Sequence, residues 1–441
     1  MSDRIETYLN IAGEQIRWKR ARPALLEELR THLLDQRDAC LAEGMSEEEA
    51  QAEAVLQMGD AVSVGQGLDR VHRPKPQWGL LFLVVVVAVA GVVFRLVLTA
   101  NYPWPISVEV PKTVLALILG VAALFGAYFL DYTFLGRQGK LLYLIALGLG
   151  VIAIQAQGFS TGYYLSYVYV FYPVVYGVWL YSWRGKGWKG FLLSVVGMVP
   201  LLFVRGLSRP SGMMFDLLVL LGTGILLLGI LAWKDWYGIG RKRGVGILSA
   251  GALFVGVLSG VRVLTSDYMT SRLIYAFHPE LNPAGYGYTG VNIQQALDSA
   301  HWMGQGEWAG VYPYEWMVPG SLGDFLLTTT IHKLGWGPFL ALILAFFLLV
   351  VCILVKCLRQ KNILAKLTVL AIVIPLALRT LVGLVMNFGV VILYVHFPLF
   401  SANMVLITDM ALIGMVLSVF RQESLPLTTR KIEKTYFGFG Q

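Results

Sequence analysis

The sequence predicts an all-α membrane protein: a ten-span transmembrane helical bundle, with a small soluble helical domain at the N-terminus and a long extracytoplasmic loop between spans 7 and 8. Three observations predict it. Hydrophobic residues make up 56% of the 441 residues and charged residues only 14%, whereas a soluble chain carries about 25% charged residues. Ten apolar runs lie near 79–100, 112–133, 140–157, 162–182, 190–207, 213–233, 244–264, 337–357, 364–395 and 402–420, most of them close to the roughly 20 residues that cross a bilayer as a helix. The cations between these runs then fall into two unequal sets.

One set holds Arg137 and Lys140; Arg184, Lys186 and Lys189; Lys234, Arg241, Lys242 and Arg243; Lys356, Arg359, Lys361 and Lys366; and Arg421, Arg430, Lys431 and Lys434, 17 in all. The opposite set is Lys112, Arg205, Arg209, Arg262, Arg272 and Lys333, six cations spread over far more sequence. Cytoplasmic loops are enriched in Lys and Arg, so the first set is placed inside. An even span count then puts both termini in the cytoplasm and residues 265–336 outside. Residues 1–76 hold ten Lys/Arg and fourteen Asp/Glu, a net of −4, and the remainder holds 25 and 13, a net of +12, which together give the total of +8. That excess lies in short loops, where topology and lipid headgroups account for it, so no nucleic-acid partner is expected. Cys40, Cys352 and Cys357 all lie outside the 265–336 loop, which excludes a disulfide framework there.

Residues 1–76 are expected to form a separate cytoplasmic helical unit and linker. In GMSEEEAQAEAVLQMGD, Gly44 closes one helix, Ser46 caps the next, Glu49 completes a capping box, and Gly59 ends it. Leu25, Leu29 and Leu33 repeat at helical spacing in the helix before. The start of the chain is polar and helical, not a basic start leading into a short apolar run, so no signal peptide is expected. HRPKPQ (72–77) reads as a proline-stiffened linker, residues 78–421 as the transmembrane domain, and residues 422–441 as a cytoplasmic tail.

Ionisable side chains inside a bilayer are costly and mark functional or paired positions. Arg95, Asp216, Arg379 and Asp409 fall within spans. Arg95 and Asp409 read as snorkelling or near span ends. Arg379 sits mid-run, two turns before Asn387 on the same helix face, and is expected to meet an anionic headgroup or an acid such as Asp216. The external segment is longer than a connector needs. Its Trp302, Trp308, Tyr312, Tyr314 and Trp316 suit a membrane-interface belt or a sugar cleft, and its histidines and acids have no metal-ligand spacing.

Residues 272–288 read RLIYAFHPELNPAGYGY. Arg272, Pro279, Pro283, Gly285, Gly287 and Tyr288 resemble the R…[DN]P..DP.G.GYQ block of the SEDS family (shape, elongation, division and sporulation). Gln294 and Gln295 resemble the QS that follows it, and Gly304-Gln-Gly306 its glycine-rich turn. GDFLLTTTIHKLGWGPFL (323–340), MNFGVV (386–391) and PLFS (398–401) look like its TDF…LGFIG, NIG.V and PLPFIS segments. The resemblance covers residues 79–421. The first 60 or so residues resemble the helical prefix domain found ahead of permeases in Gram-positive bacteria, which implies docking or regulation.

The SEDS resemblance implies a multi-pass protein of the bacterial cytoplasmic membrane. It would act on lipid-linked peptidoglycan precursor at the outer face, with membrane lipids around it and a transpeptidase-type penicillin-binding protein as partner. Such a reaction needs a base for the acceptor hydroxyl and positive charge for the departing diphosphate. No cofactor or protein-built metal site is implied, and a divalent cation accompanying the diphosphate is compatible. The implied substrate-binding positions are Arg272, Pro283, Gly285, Gly287, Gln294, Gln295, Asp324, Arg379 and Asn387. Arg272, the 279–288 turn and Arg379 are expected to line one outward-facing cavity.

The decisive position departs from the pattern. The family's essential Asp aligns with Asn282, and an amide has no basic lone pair comparable to a carboxylate. Glu280 is the substitute base to consider, with Asp298 and Asp324 behind it; the family's EE reads His332-Lys333 here. Three readings stay open: a divergent glycosyltransferase, a non-catalytic relative that binds precursor or partner enzymes, and a transporter of lipid-linked precursor.

Overall fold

The computed structural model describes residues 4–19, 21–100, 109–156, 164–207, 213–318, 320–360, 362–400 and 404–423. The chain divides into two compact units, residues 1–77 with 419–441 and residues 78–418. Among the described residues the regular structure is helical, with no strand.

Four helices build the first unit: α1 (Arg4–Gln15), α2 (Arg22–Ala42), α3 (Glu47–Met58) and α4 (Ala61–His72). The capping box forms as the spacing predicts. Ser46 Oγ accepts from Glu49 N at 3.4 Å, and Ser46 N donates to Glu49 Oε2 at 3.1 Å. The Ser46 hydroxyl also donates to Glu49 Oε2 at 2.7 Å, and this bond, followed by the one from Ser46 N, holds the Glu49 carboxyl below its ordinary value. Leu29 and Leu33 of α2 pack on Ile5, Tyr8, Leu9 and Ala12 of α1, and Leu25 joins a second small cluster with Ile16 and Ala21.

In the second unit, eight stretches are long and apolar enough to cross a membrane. They are α5 (Trp78–Ala100), α6 (Glu109–Phe129), the pair α10 (Gly187–Val196) and α11 (Met198–Leu207), α12 (Met213–Trp233), α13 (Arg241–Leu264), α18 (Trp336–Arg359), α19 (Ile363–Asn387) and α20 (Met404–Arg421). The runs expected at 140–157 and 162–182 are represented by shorter helices. Past the short α7 (Thr133–Arg137), α8 (Gly139–Gln155) has 17 residues, and α9 (Tyr172–Trp183) is preceded by a 3₁₀ stretch, Ser166–Phe171. Pro173 explains the 3₁₀ stretch: it has no N–H for the Tyr169 carbonyl, which instead accepts from Tyr172 N–H.

Local chemistry also sets two breaks. Between α10 and α11, Pro200 cannot bond to the Val196 carbonyl. Trp179 donates to Leu193 O at 2.9 Å and Tyr143 donates to Gly197 O at 2.6 Å. The expected span 364–395 ends as a helix at Asn387, because Gly389 adopts φ +97, a left-handed terminator that suits glycine. Residues 388–400 then run as irregular backbone. The segment 265–336 carries α14 (Asp267–Phe277), α15 (Tyr288–Asp298), α16 (Tyr314–Met317) and α17 (Leu326–Leu334). It packs inward through Ile293, Ala296, Tyr314, Val318 and Phe325 against Phe215, Val219, Met386 and Val395.

Candidate functional site

A cavity of about 160 Å³ lies among these helices, and sequence periodicity explains its walls. From α19 come Ala371, Ile372, Pro375, Leu376 and Arg379, one face at helical spacing. Pro375 supplies no N–H to the Ala371 carbonyl, so a backbone acceptor is released at this wall. Phe215, Asp216, Val219 and Leu220 come from α12, and Val405, Thr408 and Leu412 from α20. Tyr169 and Tyr172 close one side. Asp324, Tyr394 and His396, from irregular backbone, close another.

The charges in and behind these walls are paired. Arg205 of α11 donates from Nε and Nη2 to Asp216 Oδ2 at 3.1 and 2.6 Å, and its guanidinium lies 4.9 Å from the Tyr169 ring centroid. Its side chain is 3% exposed, and its Nη1 has no hydrogen-bond partner among the described residues. Arg379 Nη1 donates to Asp409 Oδ1 at 2.5 Å, and its Nη2 reaches His396 O at 3.4 Å. Asp409 is fully buried, and its Oδ2 also accepts from Leu399 N at 3.1 Å. His396 Nδ1 lies against Asp324 Oδ1, in contact but without hydrogen-bond alignment. Burying ionised groups is expensive unless they are paired.

Among the expected site residues, Arg379 and Asp324 line this cavity; Arg272 and the 279–288 turn do not. Arg272 donates from Nε to Ile392 O at 2.8 Å and from Nη1 to Tyr268 OH at 2.9 Å, and stands 5.6 Å from the Tyr394 ring centroid. It ties α14 to the segment that carries Tyr394 and His396. Asn387 is a positioning residue too: its Nδ2 donates to Asp324 O at 2.9 Å, and its Oδ1 accepts from Thr328 N at 3.0 Å. Asn282 is half-buried, and its carbonyl accepts from Gly285 N at 3.2 Å and Gly287 N at 3.0 Å. A Cβ on Gly287 would stand 2.0 Å from Pro279 O, so the turn requires glycine there, whereas one on Gly285 would meet only the Asn282 side chain, at 2.6 Å, which would have to shift. Pro283 is exposed. Glu280 is exposed, 3.2 Å from His278 Nδ1. Asp298 and Gln294 are exposed and Gln295 is half-buried.

His332, which stands where the resemblance expects an acid, is fully buried outside the spans. It stacks on Tyr314 at 4.6 Å between ring centroids and meets Trp308 edge-on at 5.7 Å. Burial is the main cause that lowers its pKa to about 4, with Lys333 adding to the fall; Ala296 and Glu315 oppose it. Lys333 Nζ pairs with Glu315 Oε1 at 2.9 Å beside it. Trp302, Tyr312 and Trp316 stay exposed, while Tyr314 is buried.

Sequence reasoning missed Arg205 as a site residue, since it stands among the external loop cations, and missed Tyr394 inside an apolar run and His396 just past its end. One signal was available for Arg205: an opposite charge, Asp216, lies eleven positions on in an apolar setting.

The fold and this cavity define a class: a multi-pass helical membrane protein with a charged cavity among its spans. A family model described as "Cell cycle protein" (FTSW_RODA_SPOVE) matches residues 171–425, more than half of the chain. The chain belongs to this family, the SEDS family. No curated protein matches the chain. Among solved structures it is similar to a chain described under "Structural coordination of polymerization and crosslinking by a peptidoglycan synthase complex". The TM-score is 0.58 at 20% identity, over 79% of this chain and 98% of that one. The rod shape determining protein RodA of Thermus thermophilus matches at TM-score 0.48 and 18% identity, over 79% of this chain and 97% of that one. An aspartate-to-alanine variant of that RodA matches at TM-score 0.49 and 18% identity, over 79% and 98%.

Proposed function

We propose that this protein acts on lipid-linked peptidoglycan precursor in cell shape, elongation, division or sporulation, and that the cavity receives the diphosphate–sugar head. The observation that carries this reading is a cavity lined by two guanidinium side chains, Arg205 and Arg379, together with Asp324 and His396. Guanidinium groups suit diphosphate oxygens. Polymerisation requires the acceptor hydroxyl to lose a proton as it attacks the sugar carbon, while the bond from that carbon to the diphosphate oxygen breaks. In this reading Asp324 beside His396 takes the proton, because Asn282 is an amide and Glu280 stands outside the cavity. Among the described residues no three His, Cys, Asp or Glu side chains gather at one point, so a divalent cation would arrive with the diphosphate.

Four finer assignments belong to the same proposal. They are the ten-span count with both termini cytoplasmic, residues 1–76 as a regulatory docking domain, an extracytoplasmic 265–336 segment, and a transpeptidase-type penicillin-binding protein as partner. The 17-to-6 cation asymmetry supports the orientation. Cysteines at Ala300→Cys and Lys242→Cys, in a background without the native thiols, test it: labelling of position 242 from outside intact cells sinks the orientation.

The chemical test is purified protein incubated with lipid-linked precursor, with glycan chains read on a gel. Chains from the wild type that disappear in Asp324→Asn support the polymerase reading, and a general base is worth about 10²–10⁴-fold. Chains that survive Asp324→Asn and vanish in Glu280→Gln would move the base to the turn. The amide at Asn282 favours a second reading, a non-catalytic binder. It predicts no chains from the wild type, with precursor binding that Arg205→Ala weakens.

A further inference from the structure

Three links between helices meet at the other end of the spans from the charged cavity. Lys189 lies in the first turn of α10 and Arg205 in the last turn of α11, so roughly 25 Å of helix separates this end from the cavity. Lys140 Nζ and Lys186 Nζ both stand over the Trp183 ring, 4.4 and 4.5 Å from its centroid, which ties residues 137–140 to 184–187. Gly185 N donates to Trp236 O at 2.8 Å, which brings in residues 234–240. Two more cations rest on rings here: the Arg184 guanidinium is 3.7 Å from the Tyr181 centroid, and that of Arg241 is 3.4 Å from Trp233. Partial burial is the main cause that lowers the pKa of Lys186, and the charges of Lys140 and Lys189 add to the fall. Among the described residues none of these three lysines forms an ion pair. The acid of the 234–240 link is taken up by backbone: Asp235 Oδ1 accepts from Ile239 N at 3.0 Å and from Gly240 N at 2.9 Å.

Along the same helix faces the surface turns apolar and open. On α8, Leu144 and Val151 share a face with Lys140, and on α10, Leu192 and Val196 share one with Lys189; all four apolar side chains are exposed. We propose that Lys140, Lys186 and Lys189, gathered around Trp183, hold the phosphate of an anionic phospholipid of the surrounding bilayer, whose acyl chains lie along these two faces. The occupant follows from the order of polarities. Clustered cations at span ends, continued by exposed apolar side chains, fit an amphiphile with an anionic head, whereas a free phosphate or an acidic protein would leave the apolar faces unused. Ammoniums held close together repel one another, and a phosphate among them replaces that repulsion with attraction. The starts of α8 and α10 have no side-chain cap, so their dipoles add to the same positive field. Aromatic rings interleaved with cations suit the headgroup level of a membrane.

The test titrates the purified full chain in detergent with phosphatidylglycerol or phosphatidylcholine and reads the dissociation constant of the first bound lipid by native mass spectrometry. The wild type is expected to bind phosphatidylglycerol more tightly. Lys140→Gln, Lys186→Gln and Lys189→Gln together should weaken phosphatidylglycerol about fivefold or more, since one cation near an anionic head is worth about that much. The same variant should keep its phosphatidylcholine affinity within about twofold, which also reports that it folds. Lys242→Gln, Arg243→Gln and Arg359→Gln together remove the same charge from exposed residues off the ring and should weaken phosphatidylglycerol less than about twofold. Trp183→Leu keeps every charge, releases both ammoniums from the ring and should weaken phosphatidylglycerol about twofold or more. Equal losses from the two triple variants, no loss in Trp183→Leu, or a wild type without preference overturns the site. Inorganic phosphate that binds the wild type but not the triple lysine variant in a calorimetric titration would assign the site to a soluble anion and overturn the lipid.

Discussion

Replacing Asp409 with Asn removes one negative charge and little volume from the most buried acid in the spans. Asp409 accepts from Arg379 Nη1 at 2.5 Å and Nη2 at 3.4 Å, and from Leu399 N at 3.1 Å. Leu399 has φ +64, a conformation that costs a branched residue about 1–3 kcal/mol and persists only where surroundings fix it. The amide leaves Arg379, whose side chain is 13% exposed, without its counter-ion. Breaking one side of a buried pair costs about 3–5 kcal/mol. At roughly 2 °C per kcal/mol for a large domain, the midpoint should fall by about 6 °C or more. Tryptophan fluorescence of the purified protein on heating measures this. Removing both charges, as Arg379→Met with Asp409→Leu, should recover most of the loss. What remains is the unsatisfied Leu399 N–H, about 1–3 kcal/mol. An Asp409→Asn protein that melts with the wild type, or a double variant no better than Asp409→Leu alone, would refute the pairing as the reason for this acid in a span.

Other outcomes follow from single sites. Because the folded pKa of His332, about 4, lies below its unfolded value near 6.5, the unfolded chain binds more protons between those limits. Stability of the 265–336 segment should therefore drop as pH falls from about 6.5 to 4, by at most about 3 kcal/mol, and His332→Phe should flatten that acid limb in a pH series of thermal melts. Gly287→Ala places a methyl against the Pro279 backbone and should cost about 1–3 kcal/mol, read as faster amide exchange over 279–288. Gly246→Ala, with nothing within 4 Å, should be neutral or stabilising by up to about 1 kcal/mol; equal effects at the two glycines would remove the packing argument. Ser46→Ala should lower the stability of the N-terminal unit by about 1 kcal/mol, measured by urea unfolding, and an unchanged midpoint would count against the cap.

The sequence by itself determined what is local. Apolar runs, Ser46 with Glu49, and the prolines and glycines of HPELNPAGYGY act over a few residues, so their spans, caps and tight turn are readable from spacing. Family membership was legible too, because it rests on the order of such short segments. Tertiary structure decided which charges meet. Arg379 had an anionic headgroup or an acid such as Asp216 as its expected partner, yet it pairs with Asp409, thirty positions on in α20, while Asp216 belongs to Arg205. It also decided which groups border the cavity: Asp324 and His396 do, whereas Glu280 stays exposed and Arg272 bonds to the Ile392 carbonyl. The physical reason is one of range. A hydrophobic run is stabilised by its own neighbours and by the bilayer, but a buried charge is stabilised by whichever partner the packing of distant helices brings within about 4 Å, and linear spacing does not encode that distance.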